Sequence, residues 1–231
     1  MAKVTYWLFI LCFPLLLLTS TVRMEVNCTR IYEYGFDKYY ISQVTGIDKA
    51  QLSEIAKRLV DYFESKVETP QIKIVKEGEE FELFHDYELI HLQDVKGLLR
   101  IDYGVQTASL AYIIVYALLF LLWRKGRWQD LAKGITRGCI LTLGFIAVLG
   151  IASIFGFEWL FIQFHLISFS NPYWMLDPSK DYLIMLFPEG FWQDVALLGG
   201  ATIAAEAFIL GGIAWAVPFV LQRRKRRKTS L

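Results

Sequence analysis

The 231-residue sequence predicts an all-α membrane protein in which four transmembrane helices carry a small, mostly helical extracytoplasmic cap that includes a short β-hairpin. Three observations predict it. The chain is 55% hydrophobic and only 20% charged, with a mean hydropathy of +0.38, which is too apolar for an ordinary soluble domain. Four apolar segments, residues 4–22, 105–123, 138–157 and 195–221, are long enough at about 1.5 Å per residue to cross a hydrocarbon core of roughly 30 Å. Basic residues then cluster beside two of these segments, as they do on the cytoplasmic side of membrane proteins.

The segmentation follows in chain order. Residues 1–22 form the first transmembrane helix, 23–104 the cap, 105–123 the second helix, 124–137 a cytoplasmic loop, 138–157 the third helix, 158–194 an extracytoplasmic interfacial segment, 195–221 the fourth helix and 222–231 a basic cytoplasmic tail. The loop carries Arg124, Lys125, Arg127, Lys133 and Arg137 against Asp130 alone, and the tail RRKRRK spans Arg223 to Lys228. Both termini are therefore expected to be cytoplasmic, in a multi-pass protein of the plasma membrane. Residues 23–104 hold sixteen carboxylates against eleven Lys/Arg, so the net charge of +1 is a cancellation between an acidic exterior and a basic interior. The basic tail reads as an anchor on anionic lipid, and no nucleic-acid partner is expected.

The first segment lacks an A-x-A-like cleavage site around Thr19–Ser20–Thr21, which favours a retained anchor over a signal peptide. Cys12, Cys28 and Cys139 are scattered, which excludes a disulfide framework and any C-x-x-C metal pair. In the cap, Asp48 is a plausible N-cap for an amphipathic helix with Leu52, Ile55, Ala56, Leu59 and Phe63 on one face. Pro70 ends that unit, QIKIVKEGEEFELF suggests a hairpin turning at Glu77–Gly78, and Asp86 can cap the helix that follows.

That helix holds ELIHLQDVKGLL, in which steps of three place Glu88, His91 and Asp94 within an arc of about 120°. Residues 158–194 are different in kind. They gather Trp159, Phe161, Phe164, Phe169, Tyr173, Trp174, Tyr182, Phe187, Phe191 and Trp192, a density suited to the membrane–water interface. Within this stretch His165, Asn171, Asp177 and Asp181 cost free energy unless they pair or do chemistry.

Two of the three histidines are thus expected at the outer leaflet, His91 before the second span and His165 after the third. Imidazole, with an ordinary pKa near 6.5, suits taking up and returning a proton near neutrality. Asp94 is expected to fix the tautomer of His91, as the third member of a catalytic triad does. The sequence has no G-x-S-x-G elbow, no H-E-x-x-H helix and no phosphate-binding glycine loop. Glu88 and His91 form a single E-x-x-H, where a di-iron bundle would need two, so metal binding is a minority reading. A lipid or lipid-modified substrate is the natural ligand at this depth.

E-x-x-H-x-x-D-V-K in Glu88 to Lys96, F-H-x-x-x-F-x-N-x-x-W in Phe164 to Trp174 and D-x-L-I-x-x-x-P-E in Asp181 to Glu189 occur in that order, and the chain resembles the bacterial lipoprotein intramolecular transacylases. The resemblance extends over the whole chain and its four-span layout. It implies a cofactor-free reaction on a diacylated lipoprotein. The sn-2 acyl chain of the S-diacylglyceryl cysteine moves to the cysteine α-amine, leaving an N-acyl, S-monoacylglyceryl (lyso) lipoprotein. It implies His91 and His165 as the acid–base pair and Asn171 as a donor to the developing oxyanion. The expected substrate contacts are Glu88, Lys96, Asn171, Trp174, Asp177 and Asp181, with Lys96 reaching toward headgroups or an outer carboxylate.

Two readings from other classes remain open at this point: a non-enzymatic membrane chaperone or sensor binding an exported partner, and a metal-dependent membrane lipid hydrolase. Glu206, inside the fourth span, also keeps a transporter in view. Its neighbours Gly199, Gly200, Gly211 and Gly212 favour a polar helix-packing contact instead. The role of His85 and the oligomeric state are left open by these residues.

Overall fold

The computed structural model describes residues 2–76, 78–123 and 127–228. Its elements run in chain order as α1 (Ala2–Val26), α2 (Thr29–Lys38), α3 (Ile41–Thr45), α4 (Lys49–Glu64), β1 (Lys73–Lys76), β2 (Glu79–Glu82), α5 (Asp86–Leu118), α6 (Trp128–Ser168), α7 (Tyr182–Leu186) and α8 (Glu189–Lys228). A π-helical turn, Leu119–Trp123, follows α5, and α6 is kinked at Gly156. Among the described residues, four helices are long and apolar enough to cross a membrane: Lys3–Val26, Asp86–Leu122, Trp128–Ser168 and Glu189–Val220. Three of them run well past the apolar segments that mark them in the sequence. Between Asp86 and Gly104, for example, no proline interrupts the helix formers, so backbone hydrogen bonding continues beyond the apolar run. Glu77, Arg124 and Lys125 lie outside the described residues.

The chain divides into two compact units. The first comprises Met1–Val22, Tyr103–Ile151 and Leu198–Leu231. Here α1 meets α6 through a notch. A Cβ added at Gly134 would lie 2.8 Å from Phe9 Cε1, and one at Gly138 would lie 2.6 Å from Phe13 Cδ2. Glycines four residues apart thus receive phenylalanines four residues apart, the close approach by which helices associate without a hydrophobic driving force between them. Phe9 also stacks on Tyr116 at 4.6 Å, while Leu17, Cys139, Ile203 and Ala207 form a second buried cluster. Leu11, Leu15, Ile114, Val115, Val148 and Phe208 remain exposed, as lipid-facing side chains do. Glu206 Oε2 has no hydrogen-bond partner among the described residues.

The second unit comprises Arg23–Asp102 and Ala152–Leu197. Asp48 caps α4, its Oδ1 accepting from the backbone N–H of Ala50 at 2.9 Å and of Gln51 at 3.0 Å. Leu52, Ile55, Ala56 and Leu59 are buried along one face of α4, which Tyr62 completes, while Phe63 is only partly buried. The strands pair antiparallel with Ile74 opposite Phe81, and Gly78 takes a φ of +87° in the turn, a conformation open to glycine. The helix-start expectation for Asp86 needs correction. Asp86 is the first helical residue, and Glu88 performs the reciprocal half of a capping box by accepting from the backbone N–H of His85 at 2.8 Å.

The aromatic segment also separates into two roles. Phe187 and Phe191 are buried with Tyr32, Phe36 and Leu59 in the core, while Trp159 and Phe164 stay exposed. A Cβ at Gly35 would lie 2.4 Å from Phe191 Cδ2, so Phe191 occupies the space that glycine leaves.

Gly138 and Gly144 give opposite expectations in one helix. Gly138→Ala drives its methyl into the Phe13 ring and is expected to cost about 1–3 kcal/mol, lowering the thermal midpoint of the purified protein in detergent. Gly144 has nothing within 4 Å of its Cβ position, so Gly144→Ala is expected to leave that midpoint unchanged or raise it slightly.

Candidate active site

Within the second unit, α5 carries His91 and the last turn of α6 carries His165, and the fold brings them together. Their ring centroids lie 5.9 Å apart at 32°, and both residues are buried. Phe169 packs against both imidazoles, edge-on to His91 at 4.9 Å and at 5.5 Å from His165. His165 is further enclosed by Phe161 at 4.2 Å, Trp174 at 4.9 Å and Phe164 at 5.3 Å. The sequence motif included Phe164, Phe169 and Trp174 but not Phe161, and their role as walls around His165 was not legible, because i and i+4 neighbours on a helix look alike in core and site.

His165 Nδ1 lies 2.7 Å from the carbonyl oxygen of Phe161, one helical turn back. A carbonyl only accepts, so Nδ1 carries the proton and the neutral ring keeps its lone pair on Nε2. His91 Nδ1 is buried and has no hydrogen-bond partner among the described residues. The expected orienting bond from Asp94 to His91 is absent. Asp94 Oδ2 instead accepts from Asn171 Nδ2 at 2.8 Å, and Asn171 Oδ1 accepts from the backbone N–H of Tyr173 at 3.1 Å. Asp94 and Asn171 thus pair with one another, joining α5 to the segment after α6. The chain puts these two groups side by side through a contact 77 residues apart in sequence, which helical spacing alone does not reveal.

The remaining expected contacts lie in two other places. Lys96 does not reach outward. It is 3% exposed, and its ammonium donates to the carbonyls of Tyr62 and Val67, the latter at 2.7 Å, and to Ser65 Oγ at 3.2 Å. It also lies 4.0 Å from the centre of the Tyr62 ring, whose phenol burial pushes up to about 12. The ammonium therefore closes the C-terminal end of α4, where helix carbonyls lack partners, and none of its three donors remains for a ligand.

Glu88 and Asp181 belong to a second cluster. Glu88 is fully buried, with Oε1 accepting from the backbone N–H of Leu183 at 2.8 Å and Oε2 lying 2.8 Å from His85 Nδ1. Asp181 accepts from the Tyr87 hydroxyl through Oδ1 and from the backbone N–H of Asp177 through Oδ2 at 2.7 Å. Asp177 itself is exposed and folds a turn on Ser179, whose hydroxyl and backbone N–H hold its carboxyl below the usual range.

A family model described as lipoprotein intramolecular transacylase Lit matches residues 7–192. The chain belongs to this family. Among solved structures it is similar to the membrane-integral lipoprotein intramolecular transacylase Lit from Bacillus cereus, at a TM-score of 0.79 and 21% identity over 97% of each chain. Two histidine variants of that protein match at a TM-score of 0.75, with 21% identity over 98% of this chain and 94% of the other, and 22% identity over 97% and 95%. No curated protein matches in sequence. The transacylase family is one of integral-membrane acyltransferases, and the four apolar helices accord with it. The family match covers His91, His165 and every residue of both polar clusters.

Lys96 gives a prediction that separates structure from chemistry. Lys96→Met retains the stem but leaves the carbonyls of Tyr62 and Val67 without their donor. An unsatisfied buried group costs about 1–3 kcal/mol, so a lowered thermal midpoint is expected, with turnover per folded molecule little changed. Loss of turnover at an unaltered midpoint would place the ammonium in the reaction instead.

Proposed function

We propose that this transacylase transfers the sn-2 acyl chain of an S-diacylglyceryl lipoprotein to the α-amine of its N-terminal cysteine, with His91 and His165 moving the protons. The observation that supports it is the contact of two buried imidazoles inside a wall of aromatic rings, a pair that can move protons without a Ser or Cys nucleophile of the protein. Intramolecular transfer needs no such nucleophile, because the substrate carries both the amine and the ester.

The α-amine, with an ordinary pKa of about 7.7–8.0, attacks as the neutral base. His165 Nε2 holds the available lone pair and takes the proton that nitrogen loses as the C–N bond forms. The tetrahedral intermediate collapses with cleavage of the carbon–oxygen bond, and the proton taken up by His165 passes through the adjoining His91 to the departing glycerol oxygen, so both imidazoles end neutral as they began. The products are an amide and a secondary hydroxyl, and the proton count closes without a cofactor. Asp94 and Asn171 act as a unit that holds α5 against the segment 169–174. Asn171 offers its second amide hydrogen to the oxyanion, and Trp174 supplies a flat apolar wall for the acyl chain or glyceryl group. The aromatic enclosure disfavours water, which would otherwise hydrolyse the ester.

We further place both termini in the cytoplasm and the histidine pair at the outer leaflet of the plasma membrane, where processed lipoproteins reside. The charge asymmetry of the loops supports this orientation. A cysteine introduced at Ser179 is expected to react with an impermeant thiol reagent from outside intact cells, and one at Gln129 is expected not to. The opposite pattern would overturn the orientation.

For the reaction itself, His91→Ala and His165→Ala are each expected to abolish lyso-lipoprotein formation while the protein still accumulates in the membrane. Mass spectrometry of a lipoprotein N-terminal peptide, incubated with purified variants in lipid, reads this directly. The double variant is expected to be no worse than either single one, since residues acting as a unit lose function non-additively. Retained turnover in either single variant would remove that histidine from the mechanism.

A further inference from the structure

We infer that His85, Glu88 and Asp181 form a binding site for one divalent cation of the zinc class, distinct in its residues from the histidine pair. Each offers one ligand atom, His85 Nδ1, Glu88 Oε2 and Asp181 Oδ1, and all three lie within 4.8 Å of one another. Nδ1 is 2.8 Å from the glutamate oxygen and 3.6 Å from the aspartate oxygen. With bonds of about 2.1 Å, ligand atoms stand roughly 3.0 Å apart in an octahedral sphere and roughly 3.4 Å apart in a tetrahedral one. The two spacings from Nδ1 bracket both values, and the two carboxylate oxygens lie within 4.8 Å of each other. An imidazole with two carboxylates is a donor set for a borderline ion such as Zn2+ and not for a purely oxygen-seeking one.

Charge argues in the same direction. Glu88 is 0% exposed and Asp181 2%, and their only ion-pair partner among the described residues is the same His85. A protonated imidazole offsets one of the two buried charges at most, whereas a divalent cation offsets both.

The oxygens not used as ligands supply an independent observation. Glu88 Oε1 is held by the backbone N–H of Leu183, and Asp181 Oδ2 by that of Asp177. Each carboxylate is therefore oriented by a backbone donor on its far oxygen, as the outer shell of a metal site orients its ligands. The Tyr87 ring stacks on His85 at 5.3 Å and 7°, setting the plane of the imidazole. The His85 side chain is half-exposed, which leaves the site a path for the ion and room for water to complete the sphere. On binding, the neutral imidazole carries its proton on Nε2, and the ion takes the place of the hydrogen between Nδ1 and Glu88 Oε2.

This site does not depend on the acyl-transfer reading, and its test reads binding. Untagged full-length protein in detergent, stripped of metal with a chelator, is titrated with Zn2+ by calorimetry, and with Co2+ followed by its visible absorption. One equivalent per chain is expected, with a rise in thermal midpoint on Zn2+ addition. His85→Ala, at a half-exposed position that tolerates truncation, is expected to weaken binding at least a hundredfold and to abolish the rise in midpoint. Asp181→Asn is expected to weaken it as well. His165→Ala is expected to bind as the unaltered protein does. Absence of stoichiometric binding, unchanged binding in His85→Ala, or loss of binding in His165→Ala would each overturn the assignment.

Discussion

The arrangement of the second unit depends on the fully buried carboxylate of Glu88. One of its oxygens accepts from the backbone of Leu183 and the other from the backbone of His85, so a single side chain fastens the start of α5 to the segment that opens α7. These are stretches 95 residues apart in sequence. A carboxylate buried this deeply is tolerated only because donors meet both oxygens, and removing it would strand two backbone N–H groups at once. His91 stands one turn further along α5, and it meets His165 because the segment after α6 is tied to α5, at Asn171 by Asp94 and at Leu183 by Glu88. The geometry of the imidazole pair is thus inherited from hydrogen bonds that touch neither ring.

The aromatic wall and the two imidazoles are one physical system. Phe161 contributes its carbonyl to His165 Nδ1 and its ring to the enclosure, so the same residue sets the tautomer and narrows the site. Phe169 packs against both histidines, whose ring centres lie 5.9 Å apart. Such packing keeps both groups in fixed rotamers, which is what proton transfer over a hydrogen-bond distance needs. It also accounts for Asp94 standing apart from His91: with the ring held by packing, the carboxylate is available to position the loop through Asn171.

Much of the fold was legible in the sequence because membranes impose simple rules. Hydropathy alone marked four helices, and Asp48, the α4 stripe and the Glu77–Gly78 turn signalled the local structure of residues 48–82 through capping and periodicity. His91 and His165 were legible as a pair because so few histidines are present. Partner choice was not. Helical spacing set Glu88, His91 and Asp94 on one arc but could not say that Glu88 faces Leu183, that Asp94 faces Asn171, or that Lys96 turns inward to the end of α4. Those partners come from segments 29 to 95 residues away, and only the packed chain decides among them. His85 was passed over for the same reason, since its companions are one turn along α5 and at Asp181.

The segment Glu88 to Lys96 therefore combines three duties on one stretch of helix. Glu88 joins α5 to the α7 segment, His91 faces the second imidazole, and Lys96 closes α4. Because a helix turns by about 100° per residue, side chains three, five and eight positions apart point to three different surroundings, and a motif of nine residues can meet all three. This makes the motif stringent for reasons beyond chemistry. A substitution at Glu88 or Lys96 would lower the share of folded molecules without touching the histidine pair, by releasing one of the segments packed on α5. Loss of activity at those positions is consequently expected to appear together with loss of stability, whereas at His91 and His165, whose neighbours are rings that truncation leaves largely in place, activity can vanish while the fold remains.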